Sequence, residues 1–479
     1  MYRLLIRPIK ANADGTAVHP TLSLRAVESA CLHSDFTREQ VRIAHPRFLE
    51  KVVNGNTKIV GLSVHDPMGI GPATTTWTTL FGGVPRNRIE FLRIVRRINR
   101  LKERYGFKLI VGGTGAWQLS KGRMDEFGID HLVIGEGELT VPKLFHSILE
   151  GSDSHDRIIE CKAPKADDIP PIVGPTNCDL VEITRGCGRG CSFCAPNVAG
   201  GFRSLPLEKI TKDIRTYVSH GITNVIFHSE DGFRYGSSTL LAEKEALLNL
   251  YNSGFKAGAR RLLMTHASLV TFAYQTDVVE VLTALLNKHG IKYNGCQPGL
   301  ETGSPMLMER HMRGKMYPTD PEEWHDVVLK AFKEMRRLRW YSVCTLIMGL
   351  PGEELDDLRM TIKLVEELKE YPSLFIPLFF VPMSMTSLAE RQSFVAASMY
   401  EEHWELMLKC WMHNCRHMYA MYEVAKHQGQ LKNVFFLSSL LKYMNSWLRI
   451  FLEIGFNNLK SKTPVYPGLP PPLREELPR

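Results

Sequence analysis

The sequence has no long, uninterrupted apolar run. Its first ten residues, MYRLLIRPIK, lack the apolar stretch of a secretory signal peptide. Residues 435–456 are apolar, but Lys442, Asn445, Arg449 and Glu453 interrupt them at intervals of three and four residues. This spacing gathers the polar side chains into one stripe, which predicts an amphipathic helix and not a membrane span. We therefore expect no membrane partner.

The ten cysteines do not follow the dense pattern of a small disulfide-bonded secreted domain. Three of them lie in one short run and the other seven are scattered, so a reducing cytoplasm is the expected setting. The net charge of +8 favours anionic partners in general. However, the chain has no polybasic tract with interleaved aromatic residues, and nucleic acid is not an expected partner.

The length and the first third of the chain predict an α/β protein. A chain of 479 residues, 44% hydrophobic and 23% charged, is typical of a globular protein with two or three domains. Within residues 1–150, strand patterns at 2–6, 59–64, 109–111 and 131–134 alternate with helical stretches. This alternation predicts a parallel, doubly wound sheet.

Glycine-rich loops follow three successive strands of this first domain. Ligands of parallel sheets bind at the carboxyl ends of the strands, and the glycines would let the backbone approach a large flat ligand. A nucleotide site or a purely structural Rossmann-like domain is the alternative. The candidate ligand-binding residues are Ser63, His65, Asp66, Gly69, Gly112, Gly113, Gly135, Glu136 and Gly137.

The rest of the chain divides into three parts. Residues 151–175 are polar and contain four prolines, which predicts a linker. Residues 176–390 contain six β/α units, with strands predicted at 180–183, 224–227, 261–264, 295–300, 342–348 and 374–381. Residues 391–479 are predicted to be mainly helical. In that part Cys410, His413, Cys415 and His417 suggest either a metal site or, more simply, a packed helix.

The cysteine run, Arg-Gly-Cys187-Gly-Arg-Gly-Cys191-Ser-Phe-Cys194, has the spacing C-x3-C-x2-C. Three thiolates this close can hold three irons of a cubane iron–sulfur cluster and leave the fourth iron open to a ligand, whereas four-cysteine sites serve electron transfer. A zinc site would need a fourth Cys or His at ligand spacing, and none is nearby.

This run resembles the signature of the radical S-adenosylmethionine (SAM) superfamily. The resemblance implies a [4Fe-4S] cluster on Cys187, Cys191 and Cys194, SAM on the open iron, and a 5′-deoxyadenosyl radical from its reductive cleavage. It also implies that residues 176–390 form a partial (β/α)6 barrel. A reducing partner such as ferredoxin or flavodoxin and an anaerobic setting are expected.

The resemblance further suggests which residues contact SAM. Ser-Glu-Asp at 229–231 stands where the family has a GGE element, which places Glu230 or Asp231 beside the SAM amino group. Glu301 and Ser304 resemble an element near the ribose and carboxylate of SAM, although Ser304 could instead cap a helix. Other candidates for ligand contact are Phe193, His266, Ser268, Arg313, Lys315 and, through its backbone beside the adenine, Ile347.

The phrases VGLSVHD, IVGGTGA and VIGEGE resemble those of the cobalamin-binding domain that precedes many radical SAM cores. The resemblance implies that the candidate ligand-binding residues given above for the first domain bind cobalamin. One element departs from other cobalamin proteins: the D-x-H-x-x-G sequence that supplies the lower cobalt ligand is missing, and His65 precedes Asp66. The cobalt would then have a different lower ligand or none.

Residues 1 to about 390 thus resemble the cobalamin-dependent (class B) radical SAM enzymes. The resemblance implies methyl transfer to an unactivated sp3 carbon, with a peptide or protein as a possible substrate. The layout is similar to that of the methanogen enzymes that methylate a glutamine carbon of methyl-coenzyme M reductase. Three alternatives are a cyclase or rearrangement enzyme, a non-catalytic cobalamin sensor, and a methylthiotransferase, which would need a second cluster.

Overall fold

The computed structural model describes residues 9–119, 122–152, 156–195 and 200–428. Within them, a first α/β region is followed by a core of parallel strands and then by a long helix. The strand predicted at 2–6 and the amphipathic helix predicted at 435–456 lie outside the described residues.

Four parallel strands form the first sheet, in the order β1-β2-β3-β4. They are β1 (Ile59–Ser63), β2 (Lys108–Gly112), β3 (His131–Ile134) and β4 (Ile158–Glu160). The three predicted strands in the described range are confirmed. The fourth lies in the predicted linker 151–175, which therefore contributes a strand to this sheet. The described strands follow the chain order without reversal, so a doubly wound arrangement stays a prediction.

Helices pack on this sheet through apolar stripes. The long helix over residues Arg86–Tyr105, for example, buries Phe91, Val95, Ile98 and Leu101 at intervals of three and four residues. It ends at Gly106, whose φ of 72° is left-handed and favours glycine. The helices of this region are α1 (Leu22–Leu32), α2 (Leu49–Val52), α3 (Pro72–Phe81), α4 (Arg86–Tyr105), α5 (Arg123–Glu126) and α6 (Thr140–Leu149).

The core contains two parallel sheets joined by a backbone hydrogen bond. The predicted strand 295–300 is divided at Gln297 and Pro298, because proline has no N–H for the ladder. Gln297 N instead donates to Thr265 O at 2.7 Å, which links the two sheets. The first sheet contains β5 (Leu180–Glu182), β8 (Asn224–His228) and β9 (Arg261–Met264); the second contains β10 (Asn294–Cys296), β11 (Gly299–Glu301), β12 (Trp340–Met348) and β13 (Ser373–Phe379).

The six predicted core strands are thus confirmed, one of them in two pieces, whereas their closure into one partial barrel stays a prediction. Along β12 buried and partly exposed residues alternate, so one face of the strand is covered more closely than the other. The covering helices are α7 (Leu207–Ser219), α8 (Lys244–Lys256), α9 (Leu269–Tyr274), α10 (Thr276–Lys288), α11 (Pro305–Met316), α12 (Trp324–Arg337), α13 (Leu355–Glu367) and α14 (Glu401–His427).

The edge of β13 is covered by side chains that replace a neighbouring strand. Asn414 of α14 accepts from Phe375 N and donates to Phe375 O, both at 2.7 Å. Pro377 has no N–H, and Phe379 N donates to Thr76 Oγ1 of α3 at 2.8 Å. An open strand edge invites pairing with another chain, and here α3 of the first region and α14, the last described helix, occupy that edge.

Candidate functional site

The cysteine loop lies between two short antiparallel strands, β6 (Thr184–Arg185) and β7 (Arg203–Ser204). Cys191 is buried, and Cys187 and Cys194 are partly buried. Burial raises the pKa of Cys191 to about 11, although the nearby Lys315 opposes this shift. Iron binding would deprotonate these thiols, because the thiolate is the ligand.

Arg189, inside the loop, is the main anchor of the loop to the core. Its Nη2 and Nε donate to Asp231 Oδ2 at 2.7 and 3.2 Å. Its Nη2 and Nη1 also donate to Leu240 O at 3.0 Å and Gly314 O at 3.2 Å. An added Cβ at Gly314 would lie 2.2 Å from Arg189 O, so the close approach of α11 requires glycine.

Arg234 and His311 provide further anchors that the sequence did not reveal. Arg234 donates to Cys187 O and stacks over the Phe202 ring at 3.8 Å. His311 bonds Ser192 Oγ through Nδ1 at 2.9 Å and Pro351 O through Nε2 at 2.8 Å. No sequence pattern marks these anchors, because most of their partners are backbone carbonyls.

Unpartnered buried polar atoms concentrate at the end of β8, beside the cysteine loop. Four consecutive residues, His228, Ser229, Glu230 and Asp231, each have a buried side-chain atom without a hydrogen-bond partner, and so does the nearby Thr184. Such atoms are rare in native proteins, because leaving them unpaired costs free energy. Their concentration at one place indicates that a polar ligand completes these hydrogen bonds.

The two acids at this place differ in their surroundings. Asp231 is bound by Arg189, as described above, whereas the buried Oε2 of Glu230 has no partner. Burial raises the pKa of Glu230 to about 7, and the nearby Glu182 adds to the shift. A cationic ligand group would stabilise the Glu230 carboxylate, so Glu230 is the better candidate for contact with an ammonium group.

Glu301 also lies beside the cysteine loop, but its carboxylate is occupied. Its Oε1 is 2.5 Å from Lys315 Nζ, and its Oε2 accepts from Thr345 Oγ1 at 3.1 Å. Its backbone φ of 65° is unusual for a residue other than glycine. An added Cβ at Gly299 would lie 1.8 Å from Glu301 Oε1. A ligand would therefore have to share Glu301 with Lys315.

The other predicted SAM contacts are less direct. Ser304 caps α11 by accepting from Leu307 N at 3.2 Å, and its hydroxyl donates to Asp357. This supports the capping alternative. Ile347 lies on β12 near its carboxyl end, with its side chain partly exposed. His266 Nδ1 bonds Ser229 O at 2.8 Å, so His266 stabilises the loop at the end of β8.

The predicted residues of the first domain lie at the carboxyl edge of the first sheet. Asp66 holds the loop after β1: its oxygens accept from Gly71 N at 3.0 Å, Thr74 Oγ1 at 2.5 Å and Gln118 Nε2 at 2.8 Å. Burial alone would raise the pKa of Asp66, but these bonds hold it below its ordinary value. His65 is exposed beside it, with Nδ1 bonded to Thr114 Oγ1 at 2.7 Å.

Packing between loops explains several of the predicted glycines. A Cβ at Gly113 would lie 2.5 Å from Val64 O, and one at Gly69 would lie 2.3 Å from Pro85 Cβ. Gly135 has a φ of 100°, and a Cβ at Gly137 would lie 2.8 Å from Val141 Cγ2. Two further predicted residues are in ordinary surroundings: Gly112 lies near Val133, and Ser63 is bonded to Ser23. Contact of these residues with cobalamin stays a prediction.

Glu136 has protein partners in this structure. Its carboxylate is ion-paired with Arg185 and Arg203, on the two strands that bracket the cysteine loop. Glu136 therefore lies at the junction between the first region and the core, and its predicted contact with cobalamin stays a prediction.

The cysteine–histidine group of α14 packs against the core. His413 Nε2 bonds Ser373 Oγ at 2.8 Å, and His417 Nε2 bonds Lys369 O at 2.9 Å. Burial lowers the pKa of His413 to about 3. In the part of the chain that the structure describes, no three His, Cys, Asp or Glu side chains are placed to hold a single metal ion, whereas each cysteine of the loop would bind a different iron of a cluster. Likewise, no helix in that part is long and apolar enough to span a membrane.

Comparison with known proteins identifies the domain around this loop. Residues 181–365 match the radical SAM superfamily, so the chain contains a radical SAM domain. The match begins in β5 and ends in α13, and it includes the three cysteines, the β8 end and Glu301. A radical SAM domain uses a [4Fe-4S] cluster and SAM, as predicted.

The chain is also similar to curated proteins. It is 30% identical over 159 residues to a ribosomal protein uS12 methylthiotransferase of Desulforamulus reducens, a match that covers 32% of this chain and 36% of that protein. It is 24% identical to a tRNA-2-methylthio-N(6)-dimethylallyladenosine synthase of Fusobacterium nucleatum, over 70% of this chain and 73% of that protein. The chain thus spans only about a third of the first of these relatives.

Two solved structures have a similar fold. The radical SAM methyltransferase TsrM of Kitasatospora setae, with cobalamin and a [4Fe-4S] cluster bound, aligns with a TM-score of 0.57 and 14% identity, over 78% of this chain and 71% of that chain. The cobalamin-dependent SAM radical enzyme OxsB, with aqua-cobalamin bound, aligns with a TM-score of 0.50 and 16% identity, over 78% and 53% of the two chains.

Proposed function

We propose that this protein is a cobalamin-dependent radical SAM enzyme that transfers a methyl group to an unactivated sp3 carbon. The observation that carries the proposal is the concentration of unpartnered polar atoms at His228–Asp231, directly beside the three-cysteine loop. These atoms provide hydrogen-bonding groups for the methionine part of SAM, at the place where the cluster would hold SAM. The similarity of both regions to TsrM supports cobalamin as the second cofactor.

When bound, the cluster and SAM supply a 5′-deoxyadenosyl radical, and cobalamin carries the methyl group. The protein's own residues bind and orient. Cys187, Cys191 and Cys194 hold the cluster, and Glu230 accepts hydrogen bonds from the SAM ammonium group. Lys315, paired with Glu301 beside the cysteines, places a cation next to the cluster. The carboxyl edge of the first sheet binds cobalamin. Such positioning is the main contribution that a protein can make to this chemistry.

The substrate we propose is a protein or peptide side chain, with the glutamine of methyl-coenzyme M reductase as the first candidate. This part of the proposal depends on the resemblance in layout and length. We place the substrate against the partly exposed face of β12, whose Thr345 bonds Glu301 beside the cysteine loop. An enzyme that uses the same cofactors for cyclisation or rearrangement is the main alternative.

Methylthiolation is the activity named for the similar curated proteins, but the cysteines of this chain argue against it. A second three-cysteine cluster would be needed in the first domain, and residues 1–175 contain only Cys31 and Cys161. Cys31 is fully buried in α1, and burial raises its pKa to about 12. These two thiols cannot supply a three-ligand site.

The proposal can be tested with protein purified without oxygen and reconstituted with iron, sulfide and cobalamin. It would be incubated with methyl-labelled SAM, a reductant and a panel that includes methyl-coenzyme M reductase peptides. We expect 5′-deoxyadenosine, S-adenosylhomocysteine and label on a peptide carbon in equal amounts. Cys191→Ala should abolish 5′-deoxyadenosine and the labelled peptide, because both need the radical, whereas Cys178→Ala, which changes an exposed cysteine outside the run, should abolish neither.

Other outcomes separate the alternatives. Sulfur together with the label in the product would indicate methylthiolation. 5′-Deoxyadenosine formed with a changed but unlabelled substrate would indicate rearrangement. Cobalamin binding without any SAM cleavage by the reconstituted protein would contradict the proposal and favour a non-catalytic sensor.

A further inference from the structure

Five charged side chains form a network between the first domain and the core. Arg185 Nη2 is 2.6 Å from Glu138 Oε1 and 2.9 Å from Glu182 Oε2, and its Nη1 is paired with Glu136. Arg203 pairs with the same Glu136 carboxylate, its Nη1 lying 3.2 Å from Oε2. All five side chains are largely buried, with exposed fractions between 7% and 17%.

The position of this network relates it to both proposed cofactor sites. Glu136 and Glu138 belong to the loop after β3, at the sheet edge proposed to face cobalamin. Arg185 ends β6, two residues before Cys187, and Arg203 begins β7 on the return strand. Glu182 connects the network to the SAM side, because its charge raises the pKa of Glu230. One continuous set of ion pairs therefore joins the proposed cobalamin edge to the strands on both sides of the cysteine loop. Its member Glu182 lies beside His228, at the end of β8.

The geometry of these pairs favours a rigid connection. Arg185 binds three carboxylates with its planar guanidinium, and Glu136 joins two guanidiniums, so neither side chain can turn without breaking several hydrogen bonds. Removing one partner would leave an opposite charge buried and unpaired. A flexible junction would need neither this burial nor the shared partners.

We propose that Glu136, Arg185 and Arg203 are positioning residues that couple the cobalamin site to the cluster site. This inference rests on the proposed function and deepens it. The network keeps the loop after β3 and the cysteine loop in one fixed relation, so that the methyl carrier and the radical source face the same substrate carbon. It also links the binding of cobalamin to the order of the cysteine loop.

The test compares the wild type with Glu136→Gln, which keeps the shape of the side chain but removes its charge. Cobalamin affinity would be measured by absorbance titration, with and without the reconstituted cluster. We expect the cluster to change the affinity of the wild type about fivefold, as is typical of coupled sites, and of Glu136→Gln by less than about twofold. In turnover, the ratio of 5′-deoxyadenosine to methylated product should rise about threefold in the variant. The radical would still form, but the substrate carbon would no longer be aligned with the methyl carrier.

Glu90→Gln is the matched control, since Glu90 pairs with Arg86 and Arg93 on the exposed face of α4. Glu138→Gln, which removes a single partner of Arg185, serves as the second variant if Glu136→Gln does not fold. The inference is wrong if the folded variants keep both the cluster effect on cobalamin affinity and the wild-type product ratio. A wild type that forms no methylated product contradicts the proposed function instead, and the titration then still tests the coupling.

Discussion

Two adjacent acids, Glu230 and Asp231, show how the local environment assigns a role to a residue. Asp231 already neutralises Arg189 and so anchors the cysteine loop. Glu230 forms no ion pair with the residues that the structure describes, and burial raises the pKa of its carboxyl to about 7 although the charge of Arg185 opposes the shift. The first acid therefore stabilises the loop, and the second is available for an ammonium group of SAM.

Glu230→Gln is predicted to weaken SAM binding while stabilising the SAM-free protein. The loss of a charge-assisted hydrogen bond should reduce SAM affinity by roughly tenfold or more, about 1.4 kcal/mol. Wild-type affinity for SAM should itself fall as the pH drops through about 7, the pKa of Glu230. Isothermal titration of the reconstituted protein at several pH values would measure both effects.

The stability effect follows from the sign of the same pKa shift. Because the folded-state pKa lies above the ordinary value of 4.5, ionisation of Glu230 costs stability, and this cost grows as the pH rises from about 4.5 to about 7. Glu230→Gln should remove the cost, on the order of 1–2 kcal/mol at pH 8 after solvent screening, and have no effect at pH 4. Glu208→Gln, at an exposed site on α7, is the control. Unchanged SAM affinity in Glu230→Gln, with a loss in Asp231→Asn, would reverse the assignment of the two acids.

Ser304→Ala is predicted to affect stability and not SAM binding. Ser304 caps α11 and bonds the buried Asp357, so its loss should cost about 1–2 kcal/mol. Urea unfolding of the ligand-free protein would measure this cost. A large decrease in SAM affinity without a change in unfolding free energy would instead make Ser304 a ligand contact.

At the scale of elements, α11 is shaped by its contact with the cysteine loop. The carbonyl of His311 accepts from Ser192 N at 2.9 Å, and the next residue, Met312, has a non-helical φ of −143°. At this turn the helix departs from regular geometry, and a helix carbonyl bonds the cysteine loop. Such departures are common where a group inserts into the ladder of helical hydrogen bonds. Gly314 then lets the same helix approach Arg189.

Gly314→Ala is therefore predicted to displace the cysteine loop. The added Cβ would lie 2.2 Å from Arg189 O, and overpacking of this kind costs about 1–3 kcal/mol. We expect the reconstituted variant to bind less than about half of the wild-type iron, since the loop would lose its anchor. Iron and sulfide analysis of the reconstituted proteins would measure the cluster content. Gly55→Ala is the control, because a Cβ there meets no atom within 4 Å. Wild-type iron content in Gly314→Ala would show that the anchor is dispensable.

At the scale of the whole molecule, two of the places where the first domain contacts the core lie far apart in the described structure. One is the ion network at β6 and β7. The other is α3, whose Thr76 bonds the edge of β13 and whose Trp77 and Phe81 stack on Trp411 of α14, with ring centroids 6.1 and 6.0 Å away. Two contacts at separate places restrict rotation between the domains more strongly than one would.

Thr76→Val is predicted to weaken the contact at β13 without changing the shape of the side chain. The buried N–H of Phe379 would lose its acceptor, at a cost of about 1–3 kcal/mol. Thr79→Val, on the same helix, should cost much less. Urea unfolding of both variants would measure the difference. Equal stability of Thr76→Val and the wild type would mean that water or another group replaces the hydroxyl.

The sequence alone determined the features that depend on neighbouring residues. Strand and helix periodicity located the three described strands of the first region and the six of the core. The cysteine run indicated a radical SAM domain, because all three cluster ligands lie in one loop and their spacing can be read in the sequence. The strand β4 was missed, since its three residues, Ile158–Glu160, are too short and too exposed to show a pattern.

Only the tertiary structure decided which side chains meet across the chain. Glu136 is 49 residues from Arg185 and 67 from Arg203 along the sequence, and no local sequence pattern indicates such a pair. The same holds for Arg189 and Asp231, which are 42 residues apart. The electrostatic role of a charged residue depends on its partner and its burial, and both arise only when the domains pack. The sequence thus determined the class of domain that the chain contains, and packing decided which acids are paired within the protein and which keep an unpartnered buried oxygen.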